Sequence, residues 1–165
     1  MLSLKKLSGL LFVVDFTIIH GNAVVINGIG VLITGDSGTG KTRLSLHLLE
    51  SGHAMIADDA VQLSFFKGQL HACAPDLTYD RLALSRTKFI SITETFGQSA
   101  LVKFHSLSIH AALDHTHQHN QASHLLERLH YVPVNLETRK EPVLFELLIQ
   151  NRIECLSFKP QEARC

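Results

Sequence analysis

Residues 11–34 are rich in Val, Ile and Phe, and two polar breaks interrupt them, His20-Gly21-Asn22 and Asn27-Gly28. Apolar runs of β-branched and aromatic residues bounded by Gly and Asn mark strands separated by tight turns. The pattern predicts strands over about 11–19, 23–26 and 31–34, the last two paired as a hairpin at Asn27-Gly28. The period then changes. From Lys41 to Glu50, Leu44, Leu46, Leu48 and Leu49 supply the apolar faces of a helix, and Gly52 follows as its stop. Ala54–Ala57 reads as a buried strand ending in Asp58-Asp59. Gln62–Phe66 and Gln69–Ala72 read as a second hairpin around Lys67-Gly68.

Further strands are predicted at 88–94, 104–113 and 130–136. The His-rich stretch 114–124 is polar and aperiodic, as in an exposed loop. A last helix is predicted from Pro142 to Asn151, with proline at its first position and Leu144, Leu147 and Leu148 on one stripe. Hairpins at the front and a strand–loop–helix unit in the middle predict an α/β fold, a central mixed sheet with flanking helices. Nothing marks a linker or a repeat, so residues 1–165 read as one domain.

Composition narrows the function classes. Fifteen basic residues balance fifteen acidic ones, which removes the electrostatic footprint expected for nucleic acid or an anionic membrane. Lys5 and Lys6 before Leu10-Leu11-Phe12-Val13-Val14 mimic a secretory leader, but Asp15 interrupts the run and no small-residue cleavage site follows before His20. The run is also far short of a membrane span, so it reads as a buried strand. Cys73, Cys155 and Cys165 are widely spaced and odd in number, which gives neither a disulfide framework nor a zinc motif and fits the cytoplasm.

The strongest chemical signal is Gly35-Asp36-Ser37-Gly38-Thr39-Gly40-Lys41-Thr42, a GxxxxGK[ST] P-loop between an apolar strand and a helix. Its glycines let the backbone curl so that N–H groups point inward at phosphates, and the helix N-terminus adds to that field. Lys41 is placed to reach the β- and γ-phosphates of a nucleoside triphosphate, and the Thr42 hydroxyl to ligate magnesium. Asp58-Asp59, at the end of an apolar strand, has the setting of a Walker-B carboxylate. One carboxylate there would hold magnesium through water and the other would accept the proton of an attacking hydroxyl. The sequence leaves open which does which. His20 closes a strand ahead of the loop, a place where a lone histidine is more often structural. His110, His115, His117, His119 and His124 match no zinc spacing and read as a solvated segment.

Together these motifs carry a resemblance. Ile19-His20-Gly21, the run Gly30–Thr42, Gly52-His53 and Ile56-Ala57-Asp58-Asp59-Ala60-Val61 resemble the catalytic domain of the HPr serine kinase/phosphorylase family. Gly68-Gln69-Leu70, Ala74-Pro75, Thr95-Phe96-Gly97, Phe145-Glu146 and Asn151-Arg152 keep the family's rhythm more weakly. The resemblance covers about residues 15–155 and is to the short form, without the separate N-terminal domain. It implies a P-loop fold akin to phosphoenolpyruvate carboxykinases and a hexameric assembly. It also implies phosphorylation of a serine of the phosphocarrier HPr from ATP or pyrophosphate, with phosphorolysis in reverse. By matched motif, His20 is the active-site histidine, Lys41 the phosphate-binding lysine, Thr42 the magnesium-binding hydroxyl and Asp58-Asp59 the source of the general base. Arg128 stands in for the catalytic arginine. The sequence departs from the family where its magnesium-binding glutamate falls on Ala83 and its Arg-Gly-Leu-Gly signature on Ser85-Arg86-Thr87-Lys88. Asp80 and Glu94 are the carboxylates near enough in sequence to substitute. Because of Ala83, a nucleotide-binding regulator without full turnover stands as an alternative, and a P-loop kinase of a small molecule as a third.

Overall fold

The computed structural model describes residues 2–7, 10–85, 87–114 and 123–157, with residues 2–7, 10–15 and 123 described by backbone alone. The N-terminal half forms β1 (Leu2–Leu7), β2 (Leu10–His20), β3 (Asn22–Ile26), β4 (Ile29–Thr34), α1 (Lys41–Glu50), β5 (Ala54–Ala57), β6 (Ala60–Phe66) and β7 (Gln69–Cys73). Next come β8 (Arg81–Ala83), β9 (Phe89–Ser91), α2 (Ile92–Phe96) and β10 (His105–Ala112). α3 (Ser123–Leu126), β11 (His130–Pro133), α4 (Leu136–Lys140) and α5 (Pro142–Ser157) complete the order.

A curled sheet runs in the order β1-β2-β6-β7-β10-β4-β3-β5, with β11 also paired to β10. β10 is its fork. His105 and Ser106 pair antiparallel with β7, whereas Ile109–Ala112 pair parallel with β11 on the same side. On the other side β10 lies parallel to β4 from Leu107 to Ala112, with a register shift between Leu107 and Ile109. The bend brings two backbones together: a Cβ on Gly30 would fall on the Ser106 carbonyl oxygen. Glycine is required there by space.

Residues alternate between two apolar layers, so the strands are buried on both faces. Val31, Ile33, Ile109 and Ala111 face α1 and α5, against Leu44, Leu48, Phe145, Ile149 and Ile153. Leu32, Ile56, Val61, Leu63 and Leu107 belong to the opposite layer, which includes Leu129. Glu146 ties the helical layer together. Its carboxylate accepts from His47 at 3.0 Å and Ser51 at 3.0 Å on one oxygen, and from His53 at 3.1 Å and Gln150 at 3.0 Å on the other. Burial alone would raise this carboxyl, but the bonds from His53, Ser51 and His47 hold it below its ordinary value.

The early strands, both hairpins and the helix at Lys41–Glu50 follow the sequence pattern. Three expectations need correction. The strand over 88–94 breaks at Ile92, because Ser91 accepts a hydrogen bond from the Glu94 amide and caps α2. The strand over 130–136 stops at Pro133, and Asn135 caps α4 by accepting from Thr138 N at 2.7 Å. The last helix runs on to Ser157, and its buried stripe is Phe145, Ile149 and Ile153. Leu144 and Leu147 are 49% and 50% exposed. Apolar and polar residues are scattered round the helix, so the pattern does not say which side meets the sheet. No helix among the described residues is long and apolar enough to cross a membrane.

Two predictions follow from this core. Phe145 is fully buried, and Phe145→Ala should lower unfolding free energy by about 3–5 kcal/mol in denaturant titration. His110 is half-buried in β10, its Nε2 2.7 Å from Thr34 Oγ1 and its ring edge-on to Tyr131. Burial pushes its pKa down from 6.5 to about 4. Between those values the unfolded chain binds the extra proton, so stability should fall as pH drops from about 6.5 to about 4 and this contribution should then level off. A His110 ring signal titrating near 6.5 by NMR would contradict it.

Candidate active site

β4 delivers the chain to Gly35, and α1 starts at Lys41; between them the loop turns back on itself. Gly40 sits at φ 101°, in the left-handed region that a side chain strains, and caps α1. The Asp36 carbonyl accepts from the Thr39 hydroxyl at 2.8 Å and the Thr39 amide at 3.3 Å. Lys41 is buried, and its Nζ donates to Gly35 O at 2.7 Å and Asp36 O at 2.9 Å. Burial pulls the Lys41 pKa below its ordinary value, while the charges of Asp59, Asp114, Asp36 and Asp58 push it back up. Asp36, Ser37 and Gly38 form an exposed rim.

The two adjacent aspartates have different settings. Asp58 is 4% exposed. One of its oxygens accepts from Asn22 Nδ2 at 2.9 Å and faces the Thr42 hydroxyl at 3.4 Å, and the other accepts from the Ala83 amide at 2.8 Å. Burial pushes this carboxyl above its ordinary value; the Ala83 amide opposes that, and the Asp59 charge adds to it. Asp59 turns the chain at φ 64° and leaves its side chain 71% exposed, with an oxygen 3.1 Å from His20 Nδ1. His20 Nε2 is buried and has no hydrogen-bond partner among the described residues. A hydroxyl and a carboxylate as close as Thr42 and Asp58 make an oxygen donor pair of the kind magnesium accepts.

His20, Lys41, Thr42, Asp58 and Asp59 are therefore brought together around the loop, but Arg128 is not. Its guanidinium stacks on the Phe65 ring at 4.4 Å. Phe65 is five residues along β6 from Ala60, about 16 Å at the rise of a strand. The assignment of Arg128 to the site is corrected: a flat apolar ring at the far end of the strand has claimed it. An arginine that does lie beside the loop is Arg139 of α4, whose Nη1 donates to Leu113 O at 2.9 Å and whose own carbonyl lies next to Gly40. Asp80 is engaged by Ser91 and Thr93 at the start of α2. Ala83, through its amide, is at the site but brings no carboxylate. The solvated segment expected of the histidines is corrected at His110, which is half-buried in β10 on Thr34, and the loop expected over 114–124 ends in α3, which holds the exposed His124; His115, His117 and His119 fall outside the described residues, as does Arg86.

Sequence reasoning missed Asn22 and Asp114. Asn22 is fully buried; its Nδ2 also donates to Ser45 at 2.8 Å and its Oδ1 accepts from the Asp59 amide at 3.1 Å. It looked like a turn residue because it follows His20-Gly21. Asp114 Oδ2 accepts from the Asp36 amide at 2.6 Å. Its signal was available: like Asp58, it is a carboxylate just past a predicted strand.

Residues 13–142 match the family model described as the HPr Serine kinase C-terminal domain. The HPr kinase/phosphorylase of Clostridium beijerinckii is 31% identical over 130 residues, 77% of this chain and 43% of that protein. The HPr kinase/phosphorylase of Clostridium botulinum (strain Eklund 17B / Type B) is 33% identical over 109 residues, 66% of this chain and 36% of that protein. The chain thus spans less than half the length of these curated relatives. The solved structure of the Hpr(Ser) kinase/phosphatase from Coxiella burnetii has the same fold, with a TM-score of 0.71 at 24% identity, over 86% of this chain and 93% of that one. The loop, the aspartate pair and the histidine before them sit inside the matched span, and the chain belongs to the HPr serine kinase C-terminal domain family.

Proposed function

We propose that residues 1–165 act as one ATP-dependent protein kinase domain, phosphorylating a serine of an HPr-like phosphocarrier protein and reversing the step by phosphorolysis. The observation that carries this reading is the unequal pair of aspartates beside a P-loop. Asp58 is buried against Thr42; Asp59 is open to an arriving acceptor and backed by His20. Thr42 and Asp58 would hold magnesium, which, when bound, offsets the charge of the β- and γ-phosphate oxygens. Lys41 and the loop amides bind and orient the transferring phosphoryl group, so the protein works by positioning and charge rather than by covalent chemistry. Asp59 takes the proton of the acceptor serine and returns it when the reaction runs backward. His20 Nε2, without a hydrogen-bond partner among the described residues, fits a polar atom of the acceptor or the γ-phosphate. A cytoplasmic setting and a hexamer belong to the same reading, with pyrophosphate as an alternative donor and no nucleic acid or membrane as partner.

One observation favours a second reading. Ala83 touches Asp58 through its amide and offers no metal ligand, which suits a nucleotide-binding regulator with little turnover. Incubation with radiolabelled ATP and HPr separates the two: label on protein supports the kinase, and binding without transfer supports the regulator.

Two substitutions test the roles. Lys41→Ala should weaken ATP and pyrophosphate binding by at least about tenfold with the fold intact, because it removes the loop's cation; unchanged affinity in calorimetry would remove the P-loop assignment. Asp59→Asn should lower kcat by about two to four orders of magnitude while nucleotide binding persists. If instead Asp58→Asn abolishes turnover and Asp59→Asn is silent, the base is the buried carboxylate.

A further inference from the structure

Beyond the residues already given roles, one carboxylate is built into the loop. The parallel pairing of β10 with β4 ends at Ala112 opposite Thr34, and Leu113 N extends it by donating to Thr34 O at 2.9 Å. This carries residues 113 and 114 alongside Gly35 and Asp36. The segment is held from two more sides. Val134 N donates to Ala112 O at 2.8 Å, and Arg139 donates to Leu113 O at 2.9 Å. It also touches the loop closely: a Cβ on Gly35 would lie 3.1 Å from Leu113 Cβ and 3.4 Å from Asp114 Oδ2.

Asp36 is gripped at both ends of its backbone. Its amide donates to Asp114 Oδ2 at 2.6 Å, a short, charge-assisted bond. Its carbonyl accepts from Lys41 and Thr39, and the carbonyl of Gly35 accepts from Lys41 as well. An ammonium has three N–H donors. Two are spent on these carbonyls and one is left, so a phosphate that takes more than one N–H from Lys41 draws on the hydrogens that hold the turn.

We infer that Asp114 is the positioning residue of this loop: its hydrogen bond to the Asp36 amide keeps the Gly35-Asp36 turn in place while Lys41 turns to a phosphate. The inference rests on the reading of the loop as a nucleoside phosphate site. Asp114 does not touch the phosphate. It fixes the base from which Lys41 works, and what it needs for this is an acceptor oxygen rather than a charge.

Calorimetry with pyrophosphate and with ATP, in magnesium, compares D114A, D114N and K41A with the parent chain, and thermal unfolding checks each fold. D114A is expected to bind about tenfold more weakly, since it loses a hydrogen bond to a charged group. D114N keeps an acceptor and is expected to bind within about threefold of the parent. In the parent chain the Asp36 amide should be protected from hydrogen exchange with and without pyrophosphate, a readout that needs no variant to fold. Parent-like affinity in D114A, an Asn variant as damaged as the Ala one, or a freely exchanging Asp36 amide would each overturn the inference. If K41A loses binding while D114A does not, only this inference fails; if neither loses it, the nucleotide reading fails too.

Discussion

The parallel contact between β10 and β4 is the constraint on which the rest depends. It runs through the middle of the sheet and needs Gly30 against the Ser106 carbonyl, where no side chain fits. Its opposite edge is divided between β7 and β11, so one strand joins the antiparallel front of the molecule to its parallel back. Its C-terminal end sets residues 113 and 114 beside the loop that β4 opens. In sheets with parallel strands, ligands bind beyond the carboxyl ends of such neighbours. The geometry of the site is thus a continuation of the register of the sheet.

The same logic explains why two consecutive aspartates differ so much. β5 ends at Ala57, and Asp58 still follows the strand inward, where Asn22, Thr42 and Ala83 surround it. Asp59 then enters the left-handed region and the chain reverses into β6, which throws its carboxylate outward toward His20. A single residue of sequence separates a desolvated oxygen pair from an exposed one. Asn22 makes this possible by bonding the side chain of the first and the amide of the second.

What could be read from the sequence divides along physical lines. The turn at residues 35–40, the aspartate strand, both hairpins and the helix that follows the turn were legible because each is specified locally, by turn residues, period and a short motif. The orientation of α5 was not, since Glu146, Gln150, Asn151, Arg152 and Glu154 are scattered among its apolar residues and only the sheet selects Phe145. α2 was hidden because its cap, Ser91, and Glu94 lie inside an otherwise strand-like run. Arg128 and Arg139 both follow the His-rich stretch, and choosing between them needs to know that Phe65 is near one and Leu113 near the other. Asn22 was read by its type, as a turn former; its work comes from three partners, two of them more than thirty residues away.

The carboxylate of Glu146 has a mechanical consequence. It fastens α5 to the last turn of α1 through His47 and Ser51, and to the entry of β5 through His53. The ten-residue α1 is a rod about 15 Å long with Lys41 at its other end. β5 is a second, shorter rod with Asp58 just beyond its tip. Both elements that lead to the candidate site share one fulcrum on the C-terminal helix. A chain cut short before that residue would leave them without it, and the loss would register at Lys41 and Asp58, the far ends of both rods.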